Sequence, residues 1–228
     1  MNWSFEMTPG HNELTKDQLL AEMSKYFVGY KEEIGLLLDA ALSNSLQGFP
    51  QHVMLSGPPG IGRSALVSSL ARCMQLPFFR VDASRLCNRS FVADIYLSEV
   101  FSKLWIACGK DLNKLCRSII HVEFFGHMDS ASNMAYQREM LSLIKDKVVY
   151  LRDQTDTMAM QKTAFNTNHV MFVLSHCTPG ASDEDGADGD DCGLLPALLE
   201  QVPTRLKLKP LTDTQHFELI KEMIAGRI

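Results

Sequence analysis

His52-Val53-Met54-Leu55-Ser56-Gly57-Pro58-Pro59-Gly60-Ile61-Gly62-Arg63-Ser64-Ala65-Leu66-Val67 is the stretch that decides the fold. A short apolar run enters a glycine-rich turn, and the turn opens into helical periodicity. Strand, loop and helix N-terminus in that order make a phosphate-binding loop. Gly57, Gly60 and Gly62 let backbone N–H groups face an anion. The helix that follows adds its free N–H groups and the positive end of its dipole. Ser64 stands where the pattern G-x-x-x-x-G-K-[ST] places a hydroxyl for Mg²⁺. Position 63 departs from the pattern, which asks for Lys where the chain has Arg. Arg keeps the positive charge, but its guanidinium is bulkier and planar, whereas Lys is a compact point charge.

Working outward, Thr15-Lys16-Asp17-Gln18 reads as a capping box before Leu19, Leu20, Met23 and Phe27, so a helix is expected to end near Phe27. A second helix follows on Ile34, Leu37, Leu38, Ala41 and Leu42. The spacing predicts strands at Val53–Ser56, Pro77–Asp82, Ser118–Phe124, His169–Ser175 and Thr204–Leu208. Helices are predicted at 63–74, 95–108, 134–145, 194–199 and 213–224, the last capped by Thr212. A further turn is expected at 112–116. Residues 148–151 and 162–165 read as a hairpin. Strands alternating with helices imply a mostly parallel sheet with helices on both faces.

The composition is that of an ordinary globular α/β protein. The 228 residues are 46% hydrophobic and 21% charged, with net charge −5 and a pI near 5.8. That balance gives no general drive toward nucleic acid or an anionic membrane. The six cysteines form no C-x-x-C pair, which suits small buried thiols in a reducing compartment such as the cytoplasm. No apolar run is long enough to span a membrane. Residues 180–193 hold six Asp/Glu and no basic residue, and read as a solvated acidic loop. Residues 1–14 read as a flexible N-terminus. His121, in mid-strand, reads as a core histidine. His127 and His176 read as lying at the ends of adjacent strands, on the edge where open α/β sheets bind ligands.

The order of these segments resembles the AAA+ ATPase family, and within it the ClpX- and HslU-type protein unfoldases. The similarity runs over roughly residues 15–224. Phe27-Val28-Gly29-Tyr30 falls on the family's V-V-G-Q segment and Gly57–Ser64 on its Walker A loop. Leu76–Ala83 resembles the strand after that helix. Ser90–Asp94 falls on the pore loop, with Phe91 at the substrate-gripping aromatic. Tyr136–Ile144 and Leu195–Pro203 match two later segments. The resemblance implies a P-loop NTPase three-layer αβα sandwich with a mostly parallel five-stranded sheet, as an AAA+ large subdomain over 15–228. The family's small helical lid has no counterpart here, and no zinc-binding N-terminal domain is expected.

The resemblance also implies a site. Val28 and Gly29 would line the adenine pocket. Gly57, Pro58, Pro59, Gly60, Ile61, Gly62, Arg63, Ser64 and Ala65 would hold ATP or ADP, with Mg²⁺ on Ser64 and Glu123. Ser175 or His176 would take the sensor position. The Walker B letters are altered, however. Glu123 replaces the metal-ordering Asp, and Phe124, which cannot act as a base, replaces the water-activating Glu. Gln201 replaces the arginine given to a neighbouring subunit, a group worth about 10³–10⁵ in rate. The expectation is therefore a pseudo-ATPase: a degenerate ClpX-like protein that binds nucleotide weakly or not at all. It would serve as a binding or scaffold subunit, its partners being proteins, AAA+ ring subunits among them. The alternative is a divergent ATP-dependent unfoldase or chaperone subunit that hydrolyses ATP with help from a partner subunit. A nucleic-acid motor is disfavoured by the net negative charge and the lack of a basic patch.

Overall fold

The computed structural model describes residues 14–47, 51–83, 97–123, 130–152, 162–177 and 194–224. The acidic run 180–193, the pore-loop match Ser90–Asp94, Phe124, His127 and most of the N-terminal segment 1–14 lie outside the described residues. In chain order the elements are α1 (Lys16–Ser24), α2 (Lys31–Gln47), β1 (Val53–Gly57), α3 (Arg63–Cys73), β2 (Phe78–Asp82), α4 (Leu97–Ala107) and α5 (Leu112–Cys116). They continue with β3 (Ile119–Glu123), α6 (Ser130–Asp146), β4 (Val148–Arg152), β5 (Lys162–Asn166), β6 (Met171–Cys177), α7 (Pro196–Leu199), β7 (Thr204–Lys207) and α8 (Asp213–Ile224).

Five strands form one sheet in the order β2-β3-β6-β1-β7, with every pairing parallel. β4 and β5 pair antiparallel as the expected hairpin. Side-chain alternation divides the core between the two faces of the sheet. Val53, Leu55, Ile119, Met171, Val173 and Leu206 pack with α1, α2 and α3 through Met23, Ile34, Leu37, Leu38, Leu66 and Leu70. Phe79, Val81, Ile120, Val122, Phe172 and Leu174 face the other way, onto Phe101, Leu104, Met140 and Ile144 of α4 and α6 and the hairpin's Val149, Leu151 and Phe165. Three layers follow, as in a P-loop αβα sandwich.

Several boundaries differ from the sequence expectation: β6 runs Met171–Cys177 rather than 169–175, α7 begins at Pro196 rather than 194, and two others have a visible cause. α1 stops at Ser24 rather than Phe27, because Lys25 and Tyr26 donate to the carbonyls of Glu22 and Met23 at 3.3 and 3.0 Å in a tightened last turn. α6 begins at Ser130, before the first apolar residue of its stripe, since helical hydrogen bonding extends through the polar Ser-Ala-Ser-Asn turn that carries no periodic signal. The capping predictions hold. Thr15 and Gln18 exchange reciprocal bonds of 2.8 and 3.3 Å, and so do Thr212 and Gln215.

Candidate functional site

β1 lies between β6 and β7, so its C-terminal end opens where β1, β6 and α3 meet. Gly57 ends the strand at φ +152°, and a Cβ there would stand 2.7 Å from the Leu208 carbonyl oxygen. Only glycine permits that approach. Gly62 precedes α3 at φ +93° and offers no side-chain cap, so the first turn of the helix keeps its N–H groups for another acceptor. Leu66 donates back to Gly62 at 2.9 Å, which fixes that turn. Pro59 and Gly60 are exposed at the tip. Val28 and Gly29 lie on the side of α8. Tyr30 donates its hydroxyl to the Lys209 carbonyl at 2.8 Å, and the Gln215 and Leu211 side chains crowd Gly29. Gly29, Tyr30 and Gly57 thus all lie against one segment, 208–215.

Arg63 does not project from the loop as a free charge. Its Nη1 donates to the Gly57 carbonyl at 2.8 Å and to the carbonyl of His176, bridging the ends of β1 and β6. Ser64 donates its hydroxyl to Glu123 Oε1. Glu123 Oε2 lies 3.2 Å from Arg80 Nε. The Glu123 side chain is 11% exposed and that of Arg80 61%.

Behind these groups, wholly buried His121 places Nε2 2.6 Å from Ser175 Oγ and Nδ1 3.9 Å from Glu123 Oε1. Burial, then Arg80 and Arg63, lower the His121 pKa from 6.5 to about 3, so the ring is neutral. At 3.9 Å Glu123 is beyond hydrogen-bond reach of Nδ1, which is left buried without a hydrogen-bond partner among the described residues. Arg80, His121, Glu123 and Ser175 share the α3 face by strand alternation and register.

The structure therefore brings Gly57–Ala65, Glu123, Ser175 and His176 together at one end of the sheet. It does not bring Arg205 there: Arg205 pairs with Met54, back along β1 from Gly57. Half-buried Gln201 follows α7. Sequence reasoning missed Arg80 as the partner of Glu123. The available signal was its charge in the middle of a strand, opposite His121 in register. It also missed the His121–Ser175 bond, although it placed His121 correctly in the core.

A P-loop at the carboxyl end of a parallel sheet, followed by a helix with an uncapped N-terminus, defines a nucleotide-binding αβα protein of the P-loop class. The sequence profile of the ATPase family associated with various cellular activities (AAA) matches residues 53–175, and the chain belongs to that family. The chain is similar to the ATP-dependent Clp protease ATP-binding subunit ClpX 2 of Wolinella succinogenes, 21% identical over 252 aligned positions that cover 92% of this chain and 63% of the relative. The ClpX subunit of Azotobacter vinelandii is 29% identical over 140 positions, 57% of this chain and 32% of that one. The protease ATPase subunit HslU of Caldicellulosiruptor saccharolyticus is 25% identical over 119 positions, 48% and 22% of the two chains. The chain is thus of ClpX/HslU-like type, and spans less than two thirds of these curated relatives' length. Binding of nucleotide with Mg²⁺ is a general property of the family. Among the described residues no helix is long and apolar enough to cross a membrane.

Proposed function

We propose that this chain is a non-catalytic ClpX-like AAA subunit. It keeps the nucleotide cradle for shape or for weak binding of ATP or ADP through Val28, Gly29 and Gly57–Ala65. Its work is to bind other proteins, AAA+ ring subunits among them, as a scaffold over residues 15–228. The observation that carries this reading is the engagement of Arg63. The cation that should meet the β- and γ-phosphates is spent on the carbonyls of Gly57 and His176. A nucleotide must displace those bonds before it gains the charge. The letters Phe124 and Gln201 support the same reading, since neither supplies a base or a cation to phosphoryl transfer. α8 adds a surface: Phe217, Ile220 and Ile224, spaced i, i+3, i+7, are 67, 52 and 82% exposed.

Calorimetric titration with ATP and ADP, with phosphate release followed in the same samples, tests the proposal. The expected result is weak or no heat and no turnover. Turnover that disappears in Arg63→Ala would overturn it. That outcome would favour the second reading, a divergent protein-remodelling ATPase completed by a partner subunit. The glycine scaffold and Ser64, which both follow the P-loop pattern, support that alternative.

A further inference from the structure

The divalent-cation position of this cradle is served by the chain's own charges. Two features set it apart from a Mg²⁺ site. First, Glu123 has one methylene more than Asp, and its Oε1 accepts directly from the Ser64 hydroxyl. Two oxygens cis on Mg²⁺ stand ~3 Å apart around an ion ~2.1 Å from each. The Ser64 hydroxyl proton has to leave Glu123 before both oxygens can turn to an ion, so that bond competes with the cation. Second, Glu123 Oε2 is paired with Arg80 at 3.2 Å. The carboxylate that should attract the cation already has a counter-charge, and a dication beside it would face a guanidinium at close range.

The surrounding charges give the ion no further purchase. Asp82 is the register partner of Glu123 on β2, and it is engaged in an interaction of its own. Glu123 is matched in charge by Arg80. Among the described residues His121 also faces Glu123, and it is neutral. Among the described residues no group of three His, Cys, Asp or Glu side chains is placed to hold a metal. Ser64 and Glu123 therefore do not fit Mg²⁺ in the way the family resemblance implies.

We infer that nucleotide enters this cradle without a divalent cation, the Arg80 guanidinium standing in as the fixed counter-charge of Glu123. The inference rests on the nucleotide binding proposed above, and its test separates the two. The full chain is titrated calorimetrically with ADP and with ATP, each in EDTA and in excess Mg²⁺. The wild-type Kd values in the two buffers should agree within about threefold. Arg80→Ala, at a largely exposed side chain, frees the carboxylate without touching the core. There Mg²⁺ should tighten binding about tenfold, and Arg80→Lys should restore indifference.

Wild-type binding that tightens beyond threefold with Mg²⁺ overturns the inference. So does an Arg80→Ala variant as indifferent to Mg²⁺ as wild type, or no heat with either nucleotide in either buffer. Phosphate release in the same samples bears on the non-catalytic reading alone. Binding that needs Mg²⁺ but gives no turnover sinks this inference and leaves that reading standing.

Discussion

The two halves of the site are built differently. The β1–α3 half is made of backbone: Gly57 against the Leu208 carbonyl, Gly62 ahead of α3, and a helix N-terminus without a side-chain cap. The β2–β3 half is made of side chains: Arg80, His121 and Glu123, with Ser64 reaching across from α3. The backbone half retains the geometry of a phosphate cradle. The side-chain half has changed its chemistry while remaining well packed. A fold guards its backbone geometry because many contacts depend on it, whereas a charged side chain at the sheet edge is replaced at small cost to stability.

That contrast predicts a ranking of effects. Gly57→Ala should be the most damaging single change, costing about 2–4 kcal/mol, since its Cβ meets backbone rather than a movable side chain. A urea denaturation midpoint within a few tenths molar of wild type would break the comparison. Acidification comes next. Burial and Lys147 hold His52 at about 4, and burial, Arg80 and Arg63 hold His121 at about 3, against an ordinary 6.5. Both rings stay neutral in the fold, while the unfolded chain protonates below 6.5. Stability is therefore complete above 6.5 and falls as pH drops toward 4, by about 2 kcal/mol per group at pH 5. Denaturation at pH 7 and pH 5 measures the slope, and His52→Asn should roughly halve it.

Arg63→Ala removes two carbonyl contacts and should cost about 1–2 kcal/mol in the melting transition. Equality with Gly57→Ala would erase the distinction between the halves. Arg80→Ala should cost least, under about 1 kcal/mol, because the Arg80 side chain is largely exposed and Glu123 keeps the Ser64 hydroxyl as a partner. Its effect belongs in nucleotide binding and its response to Mg²⁺, not in the melting curve.

Much of the fold was legible. The strands expected at 53–56, 118–124 and 169–175 announced themselves as apolar runs between turn residues and lie within two residues of those observed, and Thr15 and Thr212 read as caps. Those signals are local, so a linear reading finds them. The start of α6 was not legible, because the polar residues of its first turn carry no periodicity. In the site, Gly57–Ser64 was legible for the same local reason. The Arg80–Glu123 and His121–Ser175 pairings were not. They arise from register between strands whose adjacency only the folded sheet defines. His121 shows the limit well: its burial follows from an apolar run, but its partner lies 54 residues away on another strand.

The position of β1 has a consequence for how the protein comes into being. Its neighbours in the sheet arrive late: Phe172 donates to His52 across 120 residues, and Ser56 reaches Leu206 across 150. The Tyr30–Lys209 bond spans 179. On a ribosome the glycine loop is made early but stays unpaired on both sides until the last quarter of the chain emerges. Loop-closure entropy on that scale makes folding slow. The strand that carries the cradle is meanwhile an open edge, available to a holdase or to a misplaced β-strand.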